Sequence, residues 1–181
     1  MPSPDKTNAA KRLARDALLL SAALILSYLE SFIPMPKAIP GMKLGLANIA
    51  VILCGYLVSL ADAGAVSALR IIISSLLFGS TASLWFSLAG GFMAFVTLAL
   101  LLAAPARKAV SPVGVSVACA AAHNIGQISA ACVIFGSTGI FRYLPLLLIF
   151  AVLFGLVTGA AAERVIHAMK IMNEKQRGQP R

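Results

Sequence analysis

Acidic side chains are scarce in this chain. Its 181 residues hold six Asp and Glu against fifteen Lys and Arg, and charged residues of both signs make up only 12%. A soluble domain carries about a quarter of its residues charged. That deficit, together with 60% hydrophobic residues and a mean hydropathy of +0.92, excludes such a domain. Cysteine is also sparse. Cys54, Cys119 and Cys132 sit inside apolar runs without C-x-x-C spacing, which argues against a disulfide framework and leaves packing as their role. The chain has no Gly-Lys-Ser/Thr phosphate loop and so cannot be an autonomous ATP-driven pump. Its only aspartates, Asp5, Asp16 and Asp62, lie away from the depth of His123, so a Ser-His-Asp arrangement finds no third member. No second His or carboxylate is placed to join His123 in a zinc site. We therefore expect no catalytic residue, no metal and no cofactor in this chain.

What the chain has in quantity is long apolar runs. Six can be placed, at about 17–33, 43–61, 63–79, 81–103, 110–136 and 143–167, most of them near the ~20 residues that cross hydrocarbon. Each is predicted to be helical, because lipid offers backbone groups no partner. The expected fold is an all-α integral membrane protein, a bundle of about six transmembrane helices over 17–167. A basic segment, 1–16, precedes it and a basic tail, 168–181, follows at the inner surface. The second and third spans are expected to turn at Ala61-Asp62-Ala63-Gly64, and the third and fourth at Gly79-Ser80-Thr81. The first run follows a basic start as a signal peptide does, but it carries Glu30 and no clean cleavage site, which predicts a retained span.

The cations set an orientation. With the N-terminus inside, eleven of the fifteen fall on inner segments and three, Lys37, Lys43 and Arg142, on outer ones, with Arg70 left within a span. The positive-inside rule then makes both termini cytoplasmic and the 34–43 loop external. Because the net charge of +9 gathers at segment ends, membrane lipid is the expected partner and nucleic acid is not.

The few polar residues within the spans carry the functional signal. In IPGMKLGLANIA at 39–50, a Pro-Gly turn and Lys43 run into an apolar segment that holds Asn48. A helix starting near Met42 would aim its free amides and positive dipole end at the turn, a recipe for an anion. The plainer reading is a loop end with Lys43 snorkelling to the headgroups. Arg70, inside the third span, needs a partner or a wet cavity. Glu30 is the evident ion-pair partner, and a structural pair and a ligand site are both open. Ser87, Gly90 and Gly91 put a hydroxyl and two close-approach points on the fourth span, usable by a neighbouring helix or a flat ligand. On the fifth, His123, Asn124 and Gln127 fall within one helical turn and need partners at that depth. On the first, Ala17, Ser21, Ala23 and Ser27 recur four apart, as small residues do where another helix approaches, inside the bundle or from a partner.

Taken in order, PGMKLGLAN at 40–48, LRIII and LLFGS around Arg70, SLAGG at 87–91 and AHNIGQ at 122–127 resemble the small membrane proteins called Gx transporters. That family is also known as heptaprenyl diphosphate synthase component I. The likeness extends over about residues 18–159. Its members are similar to the substrate-binding S components of energy-coupling-factor transporters, six-helix proteins that take a nutrient from outside. The resemblance implies a bacterial cytoplasmic membrane and a partnership with a transmembrane coupling subunit and two ATPases. It also implies docking through an A-x-x-x-A-type face on the first helix, here spaced as Ala17/Ser21 and Ala23/Ser27. Read from the residues themselves, the expected substrate-binding set is Lys43, Asn48, Arg70, Ser87, Gly90, His123, Asn124 and Gln127.

The two family names imply different functions. Prenyl elongation needs carboxylates that hold magnesium against a diphosphate, and three Asp with three Glu and no Asp-rich motif cannot supply them. The enzymatic name then requires a noncatalytic membrane partner of a prenyl synthase. A purely structural subunit would leave Arg70 and the His123 to Gln127 cluster without a use. A flavin-like vitamin, a phosphorylated precursor and a prenyl diphosphate all suit the expected site.

Overall fold

Among the described residues, the shortest α-helix is the one that contacts every other α-helix. In the computed structural model, which describes residues 4–32, 45–103 and 110–178, the chain forms α1 (Pro4–Ser31), α2 (Asn48–Leu57), α3 (Leu60–Phe78), α4 (Thr81–Leu102), α5 (Pro112–Phe135) and α6 (Leu144–Gly178). A 3-10 turn at Thr138–Tyr143 leads into α6. Helices α3, α4, α5 and α6 pack in succession, α1 lies against α3, and α2 contacts each of the other five. The protein is an all-α membrane protein. Leu60–Phe78, Thr81–Leu102, Pro112–Phe135 and Thr138–Met172 are long and apolar enough to cross a membrane by length and composition.

The second segment differs from expectation. Helix α2 is 10 residues long, about 15 Å, half of a ~30 Å hydrocarbon core. It starts at Asn48, several residues beyond the expected start near Met42, because the chain at Gly45 takes φ +83, a left-handed conformation that a continuing helix cannot contain. At its other end α2 stops at Leu57, and the turn to α3 is Val58–Ser59 in place of the expected 61–64. Ser59 explains the shift: it is extended and its Oγ accepts from the Asp62 N–H at 3.1 Å, so α3 begins ahead of Asp62. Ser80 caps α4 and Ser111 caps α5 in the same way, while Gly136 ends α5 in the left-handed region.

The charged ends are more helical than a segment-and-tail reading suggests. Helix α1 begins at Pro4, and α6, at 35 residues or about 52 Å, runs past the bundle to Gly178. Its end carries exposed Arg164, Lys170 and Lys175.

In lipid, helices gain little from leaving solvent and associate by close packing. Small residues do this here. A Cβ on Gly126 would stand 2.6 Å from the Ala89 carbonyl oxygen, and Cβ atoms on Gly155 and Gly159 would stand 2.8 and 2.7 Å from the Cα atoms of Val117 and Val113. Below the start of α2 the interior is apolar, built from Val51, Ile52, Cys54, Val66, Leu98 and Val115 with their neighbours. Beyond it, where α2 contributes no turn, buried polar side chains join an apolar cluster of Ile128, Cys132 and Leu147.

Candidate functional site

Asn48 lies ten residues before Val58 and Arg70 eleven after Ser59, about 15 Å along their helices, which places both near mid-depth. Arg70 Nη2 donates to Asn48 Oδ1 at 3.3 Å, and Arg70 is buried, with 3% of its surface exposed. A half-helix whose amino end opens at mid-depth presents the positive end of its dipole there, and here a guanidinium stands beside it.

The expected Glu30–Arg70 ion pair takes another form. Glu30, buried on α1, accepts the Gly45 N–H on Oε1 at 2.6 Å, and its charge acts on Arg70 through space without a direct contact. The carboxylate has gone to the turn ahead of α2, because Gly45 turns its amide away from the helix and needs an acceptor.

Buried polar side chains gather around this centre. Ser27 on α1, Ser67, Ser74 and Ser75 on α3, and Ser83 and Ser87 on α4 are all buried. Ser27 Oγ, Ser75 Oγ, Ser87 Oγ, Asn48 Nδ2 and Arg70 Nε have no hydrogen-bond partner among the described residues. The α3 serines were not singled out from the sequence, although their spacing around Arg70 in SALRIIISS was the available signal: positions 67, 70, 74 and 75 share one helical face.

The α5 cluster divides. Asn124 Nδ2 donates to the Leu147 carbonyl at 2.8 Å, which ties α5 to α6. His123 and Gln127 lie against α4 at Gly90, where a Cβ would stand 2.8 Å from Gln127 Cγ and 3.0 Å from His123 Cε1. Of the two expected uses of Gly90, a neighbouring helix or a flat ligand, it is the helix that is found there, since α5 fills that space. Gly91, one residue on, faces α3 at Ile71 and Ser67. Lys43 lies outside the described residues.

The docking set divides as well. Ala17 and Ser21 are exposed, but Ala23 is fully buried and Ser27 nearly so. Ala23 and Ser27 are therefore not a docking surface, because their face of α1 is turned into the bundle.

At the other end of the bundle, Arg12 and Arg15 reach Asp62, which also accepts from Ser59 Oγ at 2.9 Å. Its hydrogen bond to Asp62 holds the Arg12 guanidinium above its usual pKa. On the outside of α4 and α5, Trp85, Phe92, Met93, Val133 and Ile134 border an apolar groove of about 710 Å³. These walls are exposed. Among the described residues no group of three or more metal-ligating side chains is present.

A helical bundle with membrane-spanning length, a half-helix at its centre and a buried cation at mid-depth defines a polytopic membrane protein with a polar interior. The family model described as heptaprenyl diphosphate synthase component I matches residues 19–165, and the chain belongs to that family. Comparison with curated proteins and with solved structures finds no match.

Proposed function

We propose that this chain is the substrate-capture subunit of an uptake transporter of the energy-coupling-factor type, taking a small anionic solute from outside. The observation that carries this reading is Arg70, buried at mid-depth beside the amino end of α2 with Nε unpartnered among the described residues. An ionised side chain so deep in a membrane protein is costly, and its usual place is on a substrate or ion pathway. An anion at this point meets a guanidinium, the Asn48 amide and a helix dipole together. The cation asymmetry supports a bacterial cytoplasmic membrane with both termini inside, which turns the serine-rich half of the bundle outward. Without a phosphate loop, the energy must come from partner chains, a transmembrane coupling subunit with ATPases.

The family description favours a second reading, a noncatalytic membrane subunit associated with a heptaprenyl diphosphate synthase. Purification of the protein from its own membranes with its partners attached separates the two. Recovery of a membrane subunit with ATPases, and loss of solute uptake on deletion, supports capture. Recovery of a soluble prenyl synthase, with prenyl diphosphate output falling on deletion, overturns it.

A further inference from the structure

The hydroxyls around Arg70 bear on what kind of molecule it holds. A serine in a helix can always turn its hydroxyl back to the carbonyl one turn earlier, and Ser21, Ser74, Thr97 and Thr158 do so here. Ser27, Ser75 and Ser87 do not. Each is more than nine-tenths buried, and each Oγ is without a partner among the described residues.

Their positions are alike in depth. Gly91 meets Ile71 and Ser67 across the α3–α4 contact, and Ser87 lies one turn from Gly91 on the same face of α4. Ser75 lies one turn from Ile71 on the facing side of α3, in the same direction along the bundle. Ser27 shares the buried stripe of α1 with Ala23 and Glu30, and its neighbour Tyr28 packs on Phe78 at the end of α3. All three hydroxyls therefore stand on the outer side of the Arg70–Asn48 pair, where α2 has ended. A buried polar atom left unpaired is costly, so these hydroxyls are built to be met by polar groups.

We infer that the ligand of this site is a water-soluble organic anion whose body, and not only its charge, is hydrogen-bonding, with Ser27, Ser75 and Ser87 contacting that body while Arg70 takes the charge. This rests on the capture reading above. It excludes an isoprenoid diphosphate as ligand, since a prenyl chain would lie against three hydroxyls it cannot satisfy. The apolar walls suited to such a chain are elsewhere, on the exposed face of α4 and α5.

The test uses full-length protein in mild detergent and the small molecules released from it, divided into an aqueous and an organic fraction. Each fraction is returned to stripped protein and melting is followed. The aqueous fraction should stabilise the wild type and not Arg70→Gln. Ser75→Ala and Ser87→Ala should each weaken binding of that fraction roughly fivefold, yet melt higher than wild type when stripped, because an unsatisfied hydroxyl has been removed. Stabilisation by an isoprenoid in the organic fraction, lost in Arg70→Gln, or serine variants that bind the aqueous fraction unchanged, overturns the polar-body inference and leaves anion capture standing. If neither fraction shifts wild-type melting, or Arg70→Gln responds as the wild type does, the capture reading itself fails.

Discussion

Arg70 of α3 and Asn48, the first residue of α2, are joined across the middle of the bundle by a single 3.3 Å hydrogen bond. That bond fixes the amino end of the half-helix against α3, which among the described residues brings a cation to this depth. Glu30 balances the cation from the other side of the turn, through the Gly45 amide and without touching it.

Charges that balance without contact predict a specific non-additivity. Arg70→Met removes a cation whose field acts on the buried Glu30 and should destabilise the protein by about 3 kcal/mol. Adding Glu30→Gln removes the opposing charge, and Gln keeps an acceptor for the Gly45 N–H. The double variant should recover more than half of the loss. Unfolding of the four proteins in one detergent measures this, and additive losses would show that the two charges do not interact.

At the cytoplasmic end proposed here, the Asp62 clasp predicts a salt-dependent effect. Arg12 and Arg15 remain 59% and 47% exposed, so their pairing with Asp62 is weak and screened by salt. Asp62→Asn should lower the melting temperature by a few degrees at low salt, with the difference shrinking as salt rises. Ser59→Ala removes a helix cap, for which about 1 kcal/mol is usual, and its effect should not follow salt. Parallel salt responses of the two variants would argue against an electrostatic role for Asp62.

The glycines differ in what a methyl group would meet. On Gly126 it would strike the Ala89 carbonyl, which belongs to a helix backbone and cannot yield. On Gly91 it would strike the far end of the Ile71 side chain, which can. Gly126→Ala should therefore be the more damaging, by about 1–3 kcal/mol. Gly91→Ala should be restored by Ile71→Val, while no side-chain change on α4 restores Gly126→Ala. Melting of the three variants decides it.

The long helices were legible because length and apolarity alone identify them, and Arg70 was legible as a centre because a charge within such a run stands out. The length of α2 was not. Residues 43–61 are mostly apolar, and hydropathy counts residues without seeing that Gly45 breaks the backbone. Pairing was also hidden. Glu30 was the only carboxylate within reach of Arg70 in the sequence, but a backbone amide, which no sequence pattern displays, took it. Gly90 illustrates a third limit: spacing shows that something approaches closely, and only packing shows that it is His123 and Gln127.

The division of the small residues on α1 predicts where a coupling partner would dock. Ala17 and Ser21 are exposed and four apart, and Ser21 Oγ is folded back onto the Ala17 carbonyl at 2.8 Å, which leaves a flat, locally satisfied strip. A second helix can approach such a strip closely, and its affinity then depends on van der Waals contact that one bulky side chain would break. Ala17→Leu or Ser21→Leu should abolish co-purification of the coupling subunit while melting and solute binding stay near wild type. Ala23→Leu should behave differently. Ala23 has no exposed surface, and overpacking there should destabilise the bundle itself by about 1–3 kcal/mol. If Ala17→Leu and Ser21→Leu leave the partner bound, this strip is a lipid-facing surface and the contact with a coupling subunit lies elsewhere.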